Sequence, residues 1–342
     1  MRRRPGTTLP VQTNYPSTPA ARTRWIVAQR RAAPSKNRLD PSRPYAYMSE
    51  TEISPLGTEI PTATIFLTNR ECPYRCLMCD LWMNTTDTTV PSGAIAAQIR
   101  HALEKMPEFG AGDPSFLAKS QVKLYNAGSF ADPKAIPHGD YAEISETVAA
   151  FGRVVVECHP ALIGPRLLDF QGRLNGRFEV AIGLETAQPE TLDKLNKRFT
   201  LAEFKAAAAL LQQNQIDLRV FLLLNPPFMD PGESVDWAKR SLDVSFDAGA
   251  STCCMIPTRA GNGAMEQLAA DRLFIKPTLS SLEETVEYGI RLGRGRVFAD
   301  LWDAEQFYSC TCSADRVRRL ETMNRTQSIP PPVHCESCTQ IG

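Results

Sequence analysis

The sequence lacks the features of a membrane-spanning chain and of a chain with a secretion signal. None of its 342 residues lies in an apolar run near the ~20 residues that a bilayer-crossing helix needs, and no apolar signal-peptide core follows the start. Glycine is too scarce, at 20 residues, for a collagen-like repeat, and a hydrophobic content of 43% excludes a wholly disordered chain. At ~150 residues per domain, the length predicts one large or two ordinary domains. We expect a cytoplasmic protein with no membrane partner.

The chain also lacks net charge, because 38 basic residues balance 38 acidic ones. The charges are nevertheless unevenly placed. Residues 1–45 carry ten basic residues against one acidic residue, and seven prolines exclude a long helix there. Residues 1–45 are therefore predicted to form a basic, Pro-rich and mostly disordered arm, which is a solvated tail, a contact for a nucleic acid such as tRNA, or an organelle-targeting segment. The acidic remainder of the chain disfavours broad, non-specific nucleic-acid binding.

Short apolar runs alternate with amphipathic segments along most of the chain. The runs are apolar on both faces, as buried parallel strands are, and they occupy residues 63–68, 121–125, 153–157, 178–183, 217–224 and 251–256. Helices are predicted between them at residues 94–105, 141–151, 201–213 and 234–247. Strand–helix alternation implies right-handed crossovers, so the fold class is α/β. Six such units suit a partial (β/α)6 barrel, although a doubly wound sheet shows the same pattern.

Polar residues, glycine and proline recur where the last five apolar runs end. They occupy residues 126–130, 157–160, 183–186, 225–227 and 257–263. The C-terminal ends of barrel strands form one mouth, where α/β barrels build their active sites. Ordinary turn chemistry explains any one of these loops, whereas its recurrence in five loops predicts a shared site.

Ten cysteines in a chain of this length do not suggest a disulfide framework. Cys72, Cys76 and Cys79 follow the first strand with the spacing C-x3-C-x2-C. Soft thiolates select iron–sulfur clusters or zinc over hard cations. Three thiolates on one loop can ligate three irons of a cubane and leave the fourth iron open. A structural zinc site would want four ligands, and a redox C-x2-C pair would need only two cysteines.

This loop and its position after the first barrel strand resemble the radical S-adenosylmethionine (SAM) superfamily, over about residues 46–300. Four further strings are similar to the branch that contains the Elongator catalytic subunit and the archaeosine-forming radical SAM enzyme: KLYNAGSFADP (123–133), VAIGLET (180–186), NKRFT (196–200) and LLLNPPF (222–228). The resemblance implies a radical SAM partial barrel over residues 46–300.

The resemblance also implies a function and a set of ligands. Cys72, Cys76 and Cys79 would hold a [4Fe–4S] cluster whose fourth iron binds the amino and carboxylate groups of SAM. Reduction by a partner such as flavodoxin or ferredoxin would cleave SAM to methionine and a 5′-deoxyadenosyl radical, which abstracts hydrogen from a substrate. The positions that match SAM-binding positions of the family are Ala127, Gly128, Ser129, Glu157, Glu185, Lys197, Asn225 and Pro226.

Some positions depart from the family pattern or have ordinary alternatives. Met78 stands where the superfamily often has an aromatic residue. Glu157 and Glu185 also suit helix caps or surface ion pairs, and Lys197 also suits a solvated helix position. Candidates for the substrate side of the site are His159, Arg259 and Asn262.

Four cysteines near the C terminus form a second group. Cys310 and Cys312 are separated by 22 residues from Cys335 and Cys338. Two close pairs make a complete tetrahedral set, for a second iron–sulfur cluster or for zinc. Residues 301–342 are therefore predicted to form a small Cys-rich module, in which the absence of any metal is the third alternative.

These patterns predict a radical SAM enzyme whose favoured substrate is a tRNA nucleoside, with a small metabolite or a peptide as alternatives. A different class, a metal-stabilised nucleic-acid-binding protein without turnover, would explain the cysteines and the basic arm. It would not explain the polar residues at five strand ends.

Overall fold

An open, curled sheet of eight strands forms the centre of the structure, a computed structural model that describes residues 14–110 and 112–335. Its strands are β1 Ala46–Ile53, β2 Glu59–Leu67, β5 Gln121–Asn126, β6 Arg153–Glu157, β7 Arg177–Glu185, β8 Asp217–Leu224, β9 Ala250–Pro257 and β10 Arg296–Ala299. The short strands β3 Asn69–Arg70 and β4 Thr85–Thr86 pair with each other in a separate sheet. The helices are α1 Pro19–Gln29, α2 Ala94–Lys105, α3 Pro107–Gly110, α4 Pro114–Leu117, α5 Tyr141–Thr147, α6 Pro165–Gln171, α7 Pro189–Lys194, α8 Leu201–Gln213, α9 Ser234–Asp247, α10 Ala264–Ala270, α11 Leu279–Leu292 and α12 Ser313–Thr326. Short 3-10 helices lie at Arg30–Ala32, Leu81–Asn84, His138–Asp140, Pro160–Leu162 and Ala304–Phe307.

The strand order in the main sheet is β1-β2-β5-β6-β7-β8-β9-β10. Strand β1 is antiparallel to β2, and every other neighbouring pair is parallel. Helices cross over between the parallel strands, so the sheet curls into an open barrel whose two edge strands do not pair. This arrangement confirms the predicted α/β partial barrel. No helix in the described part of the chain has both the length and the apolar character that crossing a bilayer requires.

All six predicted strands are present, and the predicted helices over residues 94–105, 201–213 and 234–247 have the predicted bounds. The sheet has two further strands at its edges that the apolar runs did not reveal. Strand β1 alternates exposed and half-buried residues over most of its length, so it shows no apolar run. Strand β10 has only four residues, all of them buried. Short or one-sided strands give too weak a periodic signal to stand out.

The open edge of β10 is covered by helix α12. The Asn324 side chain donates to the carbonyl of Ala299 and accepts from its N–H, both at 2.8 Å. Gln327 makes the same two contacts with Val297, at 2.8 and 3.0 Å. These amides therefore occupy the backbone groups that an exposed strand edge would offer to another chain.

Half-buried side chains on successive strands face the inside of the barrel. Phe66, Tyr125, Glu157, Phe221 and Cys254 are each partly exposed between buried neighbours. The register places Phe66 beside Tyr125, and Phe221 beside Cys254. Because side chains alternate between the two faces of a strand, the buried neighbours pack under the outer helices while this set lines an accessible interior.

The N-terminal arm differs from the mostly disordered segment that its composition predicts. Helix α1 begins after the cap Thr18, with a proline in its first turn. Its Ile26 is only 1% exposed and packs against Leu77 and Leu195. The high content of arginine and proline predicts disorder for this arm. Its apolar side chains nevertheless become ordered, because distant parts of the folded chain provide their packing partners. Residues 1–13 lie outside the described residues.

A buried charge network closes the barrel at the N-terminal ends of its strands. The Arg219 guanidinium donates to both carboxylate oxygens of Glu52 at 2.8 Å and to Glu179 at 2.6 Å. Lys123 pairs with Glu52 at 2.5 Å. Burial alone would raise the pKa of Glu52, yet Arg219 and Lys123 hold this pKa well below its usual value. The network is stable only if every charge in it is paired, because an unpaired buried charge would lose its hydration without gaining a partner.

We expect Arg219→Met to lower the free energy of unfolding by about 3–5 kcal/mol, because it leaves Glu52 and Glu179 buried with weaker compensation. Urea denaturation measures this change. Arg177→Met is the matched control: Arg177 pairs with Asp217 but its side chain is 69% exposed. Its loss should cost no more than about 1 kcal/mol. Equal costs for the two variants would contradict the importance of the buried network.

Candidate active site

The three cysteines of the C-x3-C-x2-C motif lie on a loop, residues 71–80, between the short strands β3 and β4. The N–H of Cys79 donates to the carbonyl of Cys76 at 3.3 Å, which makes a tight turn. Burial raises the pKa of the Cys72 thiol to about 12, and it also raises the pKa of the other two thiols. Among the described residues, the sulfurs of this motif do not form a group in which all lie within 4.8 Å of one another. At least one pair of these three sulfurs is therefore more than 4.8 Å apart.

Two asparagines from other strand-end loops hold the backbone of the cysteine loop. The Asn196 amide donates to the carbonyl of Arg75 at 3.0 Å. The Asn262 amide donates to the carbonyls of Leu77 and Cys79, at 2.8 and 3.2 Å. Both asparagines are at most 2% exposed. Buried carbonyls require such donors, so these contacts fix the path of the loop.

Asn262, a predicted substrate-side residue, binds the cysteine loop in the structure, and its contact with a substrate stays a prediction. Its amide nitrogen binds the cysteine loop, and its oxygen accepts from the N–H of Met265 at 2.9 Å. Asn196 is not among the predicted site residues, although it opens the string NKRFT (196–200). Its backbone is left-handed, with φ of 57°, a conformation that asparagine tolerates better than most residues.

The glycine-rich segment 127–129 packs directly on the first cysteine. Gly128 has φ of 142°, and a Cβ atom there would lie 3.2 Å from the Cβ of Cys72. Only glycine allows both this backbone conformation and this close approach. Ala127 is buried, and the Ser129 hydroxyl lies 3.0 Å from the sulfur of Cys158. The segment therefore lies beside Cys72, and its contact with SAM stays a prediction.

A buried ion pair stands beside the cysteine loop. Lys197 Nζ lies 2.6 Å from Glu185 Oε1, and both residues are less than 10% exposed. Burial alone would lower the pKa of Lys197, but Glu185 and the thiols of Cys76 and Cys79 raise it. Gly183 lies under the pair, where a Cβ atom would come within 2.7 Å of Nζ. The pair therefore places a positive charge next to the thiols.

Glu157 ends strand β6 on the interior side of the barrel. Burial raises its pKa to about 8; Lys197 opposes this shift and Glu185 adds to it. The neighbouring Asn126 is 1% exposed, and neither polar atom of its side chain has a partner among the described residues. Asn225 donates to the carbonyl of Ile275 at 2.6 Å while its oxygen also lacks a described partner. Buried polar atoms without partners are rare, so they indicate room for a polar ligand.

His159 is occupied by the protein itself. Its Nε2 donates to the carbonyl of Lys197 at 2.8 Å, and its Nδ1 accepts from the N–H of Ala161 at 3.2 Å. Its ring stacks on Tyr74 with 3.6 Å between centroids. Burial lowers the pKa of His159 to about 4, so the ring is neutral near pH 7. His159 thus contacts the backbone of Lys197 and Tyr74 of the cysteine loop, and the substrate contact stays a prediction.

Arg259 lies at the barrel mouth, as its strand-end position predicts. It pairs with Asp300 at 2.7 Å and donates to the carbonyl of Trp302. Asp80, directly after the last cysteine of the loop, faces the same group. Burial raises the pKa of Asp80; Arg259 opposes the shift, while Asp300 and Asp303 add to it. Arg259 thus joins the segment after β10 to the edge of the site. Pro226, next to Asn225, begins the loop after β8 on the same side.

The N-terminal arm contributes a basic residue that sequence reasoning missed. Arg30 pairs with Glu71 at 2.6 Å and lies over the Trp82 ring at 4.7 Å. Lys36 reaches the same Glu71 at 3.1 Å. Burial lowers the pKa of Arg30, and the thiols of the cysteine loop oppose that shift. No local pattern links Arg30 to a loop 40 residues further along the chain.

The C-terminal cysteines form a second cluster outside the barrel mouth. The sulfurs of Cys310, Cys312 and Cys335 all lie within 4.8 Å of one another. Cys338, the predicted fourth member, lies outside the described residues.

The raised pKa of Glu157 predicts a pH dependence of stability. A carboxyl group with a raised folded-state pKa stabilises the fold most below its unfolded pKa of about 4.5, and this contribution is lost as the pH rises through about 8. The free energy of unfolding of the wild type, relative to Glu157→Gln, should therefore fall between about pH 5 and pH 8. Denaturant titrations of both proteins measure it. The exposed Glu146→Gln should show no such trend, and parallel profiles for Glu157→Gln and the wild type would contradict the burial of this carboxyl group.

Comparison with known proteins gives two sequence relatives that span most of the chain. No protein-family model matches. The chain is 24% identical to an uncharacterized protein of Methanocaldococcus jannaschii over 320 residues, which cover 88% of this chain and 86% of that protein. It is 29% identical to archaeosine synthase subunit beta of Thermococcus kodakarensis over 267 residues, which cover 74% of this chain and 80% of that protein.

A solved structure shares the fold. Elp3 of the archaeon Methanocaldococcus infernus matches with a TM-score of 0.50 and 11% identity. The match covers 76% of this chain and 63% of the Elp3 chain, so this chain spans less than two thirds of that structure. At this identity the likeness concerns the fold alone. The chain is thus similar in sequence to archaeosine synthase subunit beta and in fold to Elp3, the two proteins whose branch the sequence strings resemble.

Proposed function

We propose that this chain is a radical SAM enzyme that holds a [4Fe–4S] cluster on Cys72, Cys76 and Cys79. The cluster would supply the electron that cleaves SAM and so starts hydrogen abstraction from a substrate. The observation that carries the proposal is a fixed loop of three separated thiols at the mouth of a partial barrel. The polar residues of several strand ends converge beside it.

The donor set fits a cluster better than a single metal ion. Around one zinc ion, with Zn–S bonds of about 2.3 Å, tetrahedral geometry brings sulfurs to about 3.8 Å from one another. The thiols of this loop are not grouped so closely. A cubane takes each thiolate on a different iron and so needs the wider arrangement. The close packing of Gly128 on Cys72 leaves no side chain between the thiol and the glycine-rich backbone.

Residues of this chain suit the polar groups of SAM. Lys197 offers a positive charge for the methionine carboxylate, and Glu185 orients it. The backbone of residues 127–129 lies against Cys72, in reach of the methionine amine in the family pattern. Glu157 and the open oxygen of Asn225 are available for the ribose and the adenine, with Pro226 beside the latter. Each of these groups is held by the protein before any ligand binds.

The favoured substrate is a tRNA nucleoside. The relative from Thermococcus kodakarensis is named for archaeosine, and the N-terminal arm of this chain is strongly basic. In the structure the arm packs beside the cysteine loop and exposes Arg24, Arg31 and Arg38. Exposed arginines near the active site would bind a phosphate backbone. A small metabolite or a peptide remains the alternative substrate.

We also propose a reductant, a cellular compartment and a domain organisation for this enzyme. A low-potential reductant such as flavodoxin or ferredoxin would supply the electron, and the reducing cytoplasm would keep the thiols available. Residues 46–300 would be the catalytic barrel, and residues 301–342 would be the Cys-rich module, which includes helix α12.

The central test is SAM cleavage. Protein purified without oxygen and reconstituted with iron and sulfide should release 5′-deoxyadenosine when SAM and dithionite are added, as measured by chromatography. Cys76→Ala should abolish the release, because one cluster ligand is lost. Cys253→Ala is the matched control, since Cys253 is fully buried in strand β9 away from the loop. Absence of the product from fully iron-loaded wild type would overturn the proposal.

Lys197 provides a second test. We expect Lys197→Gln to weaken SAM binding about tenfold or more, because the carboxylate of SAM loses its buried counter-charge; tenfold corresponds to about 1.4 kcal/mol. Equilibrium binding to the reconstituted protein measures the change, with iron content determined on the same sample. Lys205→Gln, at an exposed position of helix α8, should bind as the wild type does. Unchanged affinity in a fully loaded Lys197→Gln protein would remove Lys197 from the SAM site.

A further inference from the structure

We propose that Cys310, Cys312 and Cys335 bind one tetrahedral metal ion, zinc by the chemistry of the site, rather than a second iron–sulfur cluster. The three sulfurs all lie within 4.8 Å of one another, and those of Cys310 and Cys335 are 3.4 Å apart. The sequence alone allows either occupant, whereas these distances favour the single ion.

The argument from distance is geometric. Sulfurs around one tetrahedral zinc ion are about 3.8 Å apart, because each Zn–S bond is about 2.3 Å. In the C-terminal group, the sulfurs of Cys310 and Cys335 are 3.4 Å apart and all sulfur pairs lie within 4.8 Å, so the observed range includes this distance. A cubane separates its thiolates over several irons and would not draw them into so small a group. Among the described residues, the sulfurs of Cys72, Cys76 and Cys79 do not form such a compact group.

Two segments form this site: the turn before helix α12 and the tail that follows the helix. The Ser313 hydroxyl accepts from the N–H of Cys310 at 3.2 Å, which shapes the turn before helix α12. At the other end of the helix, Gln327 adopts a left-handed conformation, with φ of 48°, and the chain turns back. Arg319 then donates to the carbonyls of Pro330 and Pro331. These contacts carry the returning tail along α12 to Cys335, so the thiols are brought together by the fold.

Charge compensation is present beside the thiols. Three or four thiolates around a divalent ion leave net negative charge, which a nearby cation stabilises. Arg316 lies one turn into α12 and pairs with Glu283 of helix α11. The Arg316 side chain also hydrogen-bonds to Cys312. The guanidinium is therefore well placed as an N–H donor to a bound thiolate.

The proposed site consists of the three described thiols of Cys310, Cys312 and Cys335. Cys338, which the sequence analysis groups with them, lies outside the described residues.

The position of the ion indicates its role. The segment between β10 and Cys310 carries Asp300 and Trp302, which hold Arg259 at the barrel mouth. An ion that joins Cys310 to the tail would fix the far end of this segment. Metal binding of this kind adds directly to folding free energy. We therefore infer that zinc stabilises one wall of the mouth and takes no part in electron transfer.

The test counts zinc and iron separately in the full-length chain, purified without oxygen and reconstituted. We expect about one zinc per chain in the wild type and in the Cys72→Ala/Cys76→Ala/Cys79→Ala variant. Cys310→Ala/Cys335→Ala should lose the zinc and keep about four irons per chain. Cys253→Ala, with its fully buried thiol, should match the wild type in both metals. A loss of about four irons from the C-terminal variant would overturn the proposal in favour of a second cluster.

A second measurement does not depend on the folding of any variant. Wild-type protein is alkylated with iodoacetamide before and after zinc is removed by a chelator, and the modified cysteines are identified by mass spectrometry. Zinc should protect Cys310, Cys312 and Cys335, and its removal should expose them together. A disulfide between Cys310 and Cys335, or equal modification before and after chelation, would overturn the proposal. Neither result bears on SAM cleavage, so the two proposals can fail independently.

Discussion

The arrangement of the site depends on how the cysteine loop is held. A loop of ten residues with several buried carbonyls cannot keep one shape unless those carbonyls find donors. Asn196 and Asn262 supply them from the loops after two different strands. Any shift of β7 or β9 relative to β2 would therefore move the thiols. The rigid barrel is the means by which three cysteines on an irregular loop keep fixed positions.

The electrostatics of the site follow from the same enclosure. Burial in the interior of the barrel raises the pKa of Glu157 to about 8, and the Glu185 carboxylate lies 2.6 Å from Lys197. Of these two carboxyl groups at neighbouring strand ends, only Glu185 has a cation in contact. The network around Arg219 closes the opposite end of the barrel with fully paired charges. The barrel interior is therefore polar at both ends. At the N-terminal ends of the strands the charges are paired with one another, whereas at the C-terminal ends some hydrogen-bonding groups have no described partner.

The sequence predicts what is encoded locally. The six long strands and helix α8 follow from apolar periodicity, and the cysteine loop follows from spacing alone. The partners of single side chains do not follow in this way. His159 and Asn262 stand at strand ends, where substrate contacts are common, but their ring and amide bind backbone atoms far away in sequence. Helix α1 was missed because the partners of Ile26 come from residues 77 and 195. Residue type and position along a strand indicate the region of the fold in which a side chain lies. The tertiary structure determines which atoms that side chain contacts.

The same reasoning explains why the two cysteine groups differ. The first group lies on one loop, which has to curve around whatever it binds, so its thiols are spread along an arc. The second is assembled where a turn and a returning tail meet, so its thiols converge on one point. Spacing in the sequence describes the first group well, since its geometry is local. It describes the second poorly, because the 22 residues between the cysteine pairs form a helix and a reversal whose packing sets the distances. The proposal of a cluster at one site and an ion at the other therefore rests on the fold more than on the motifs.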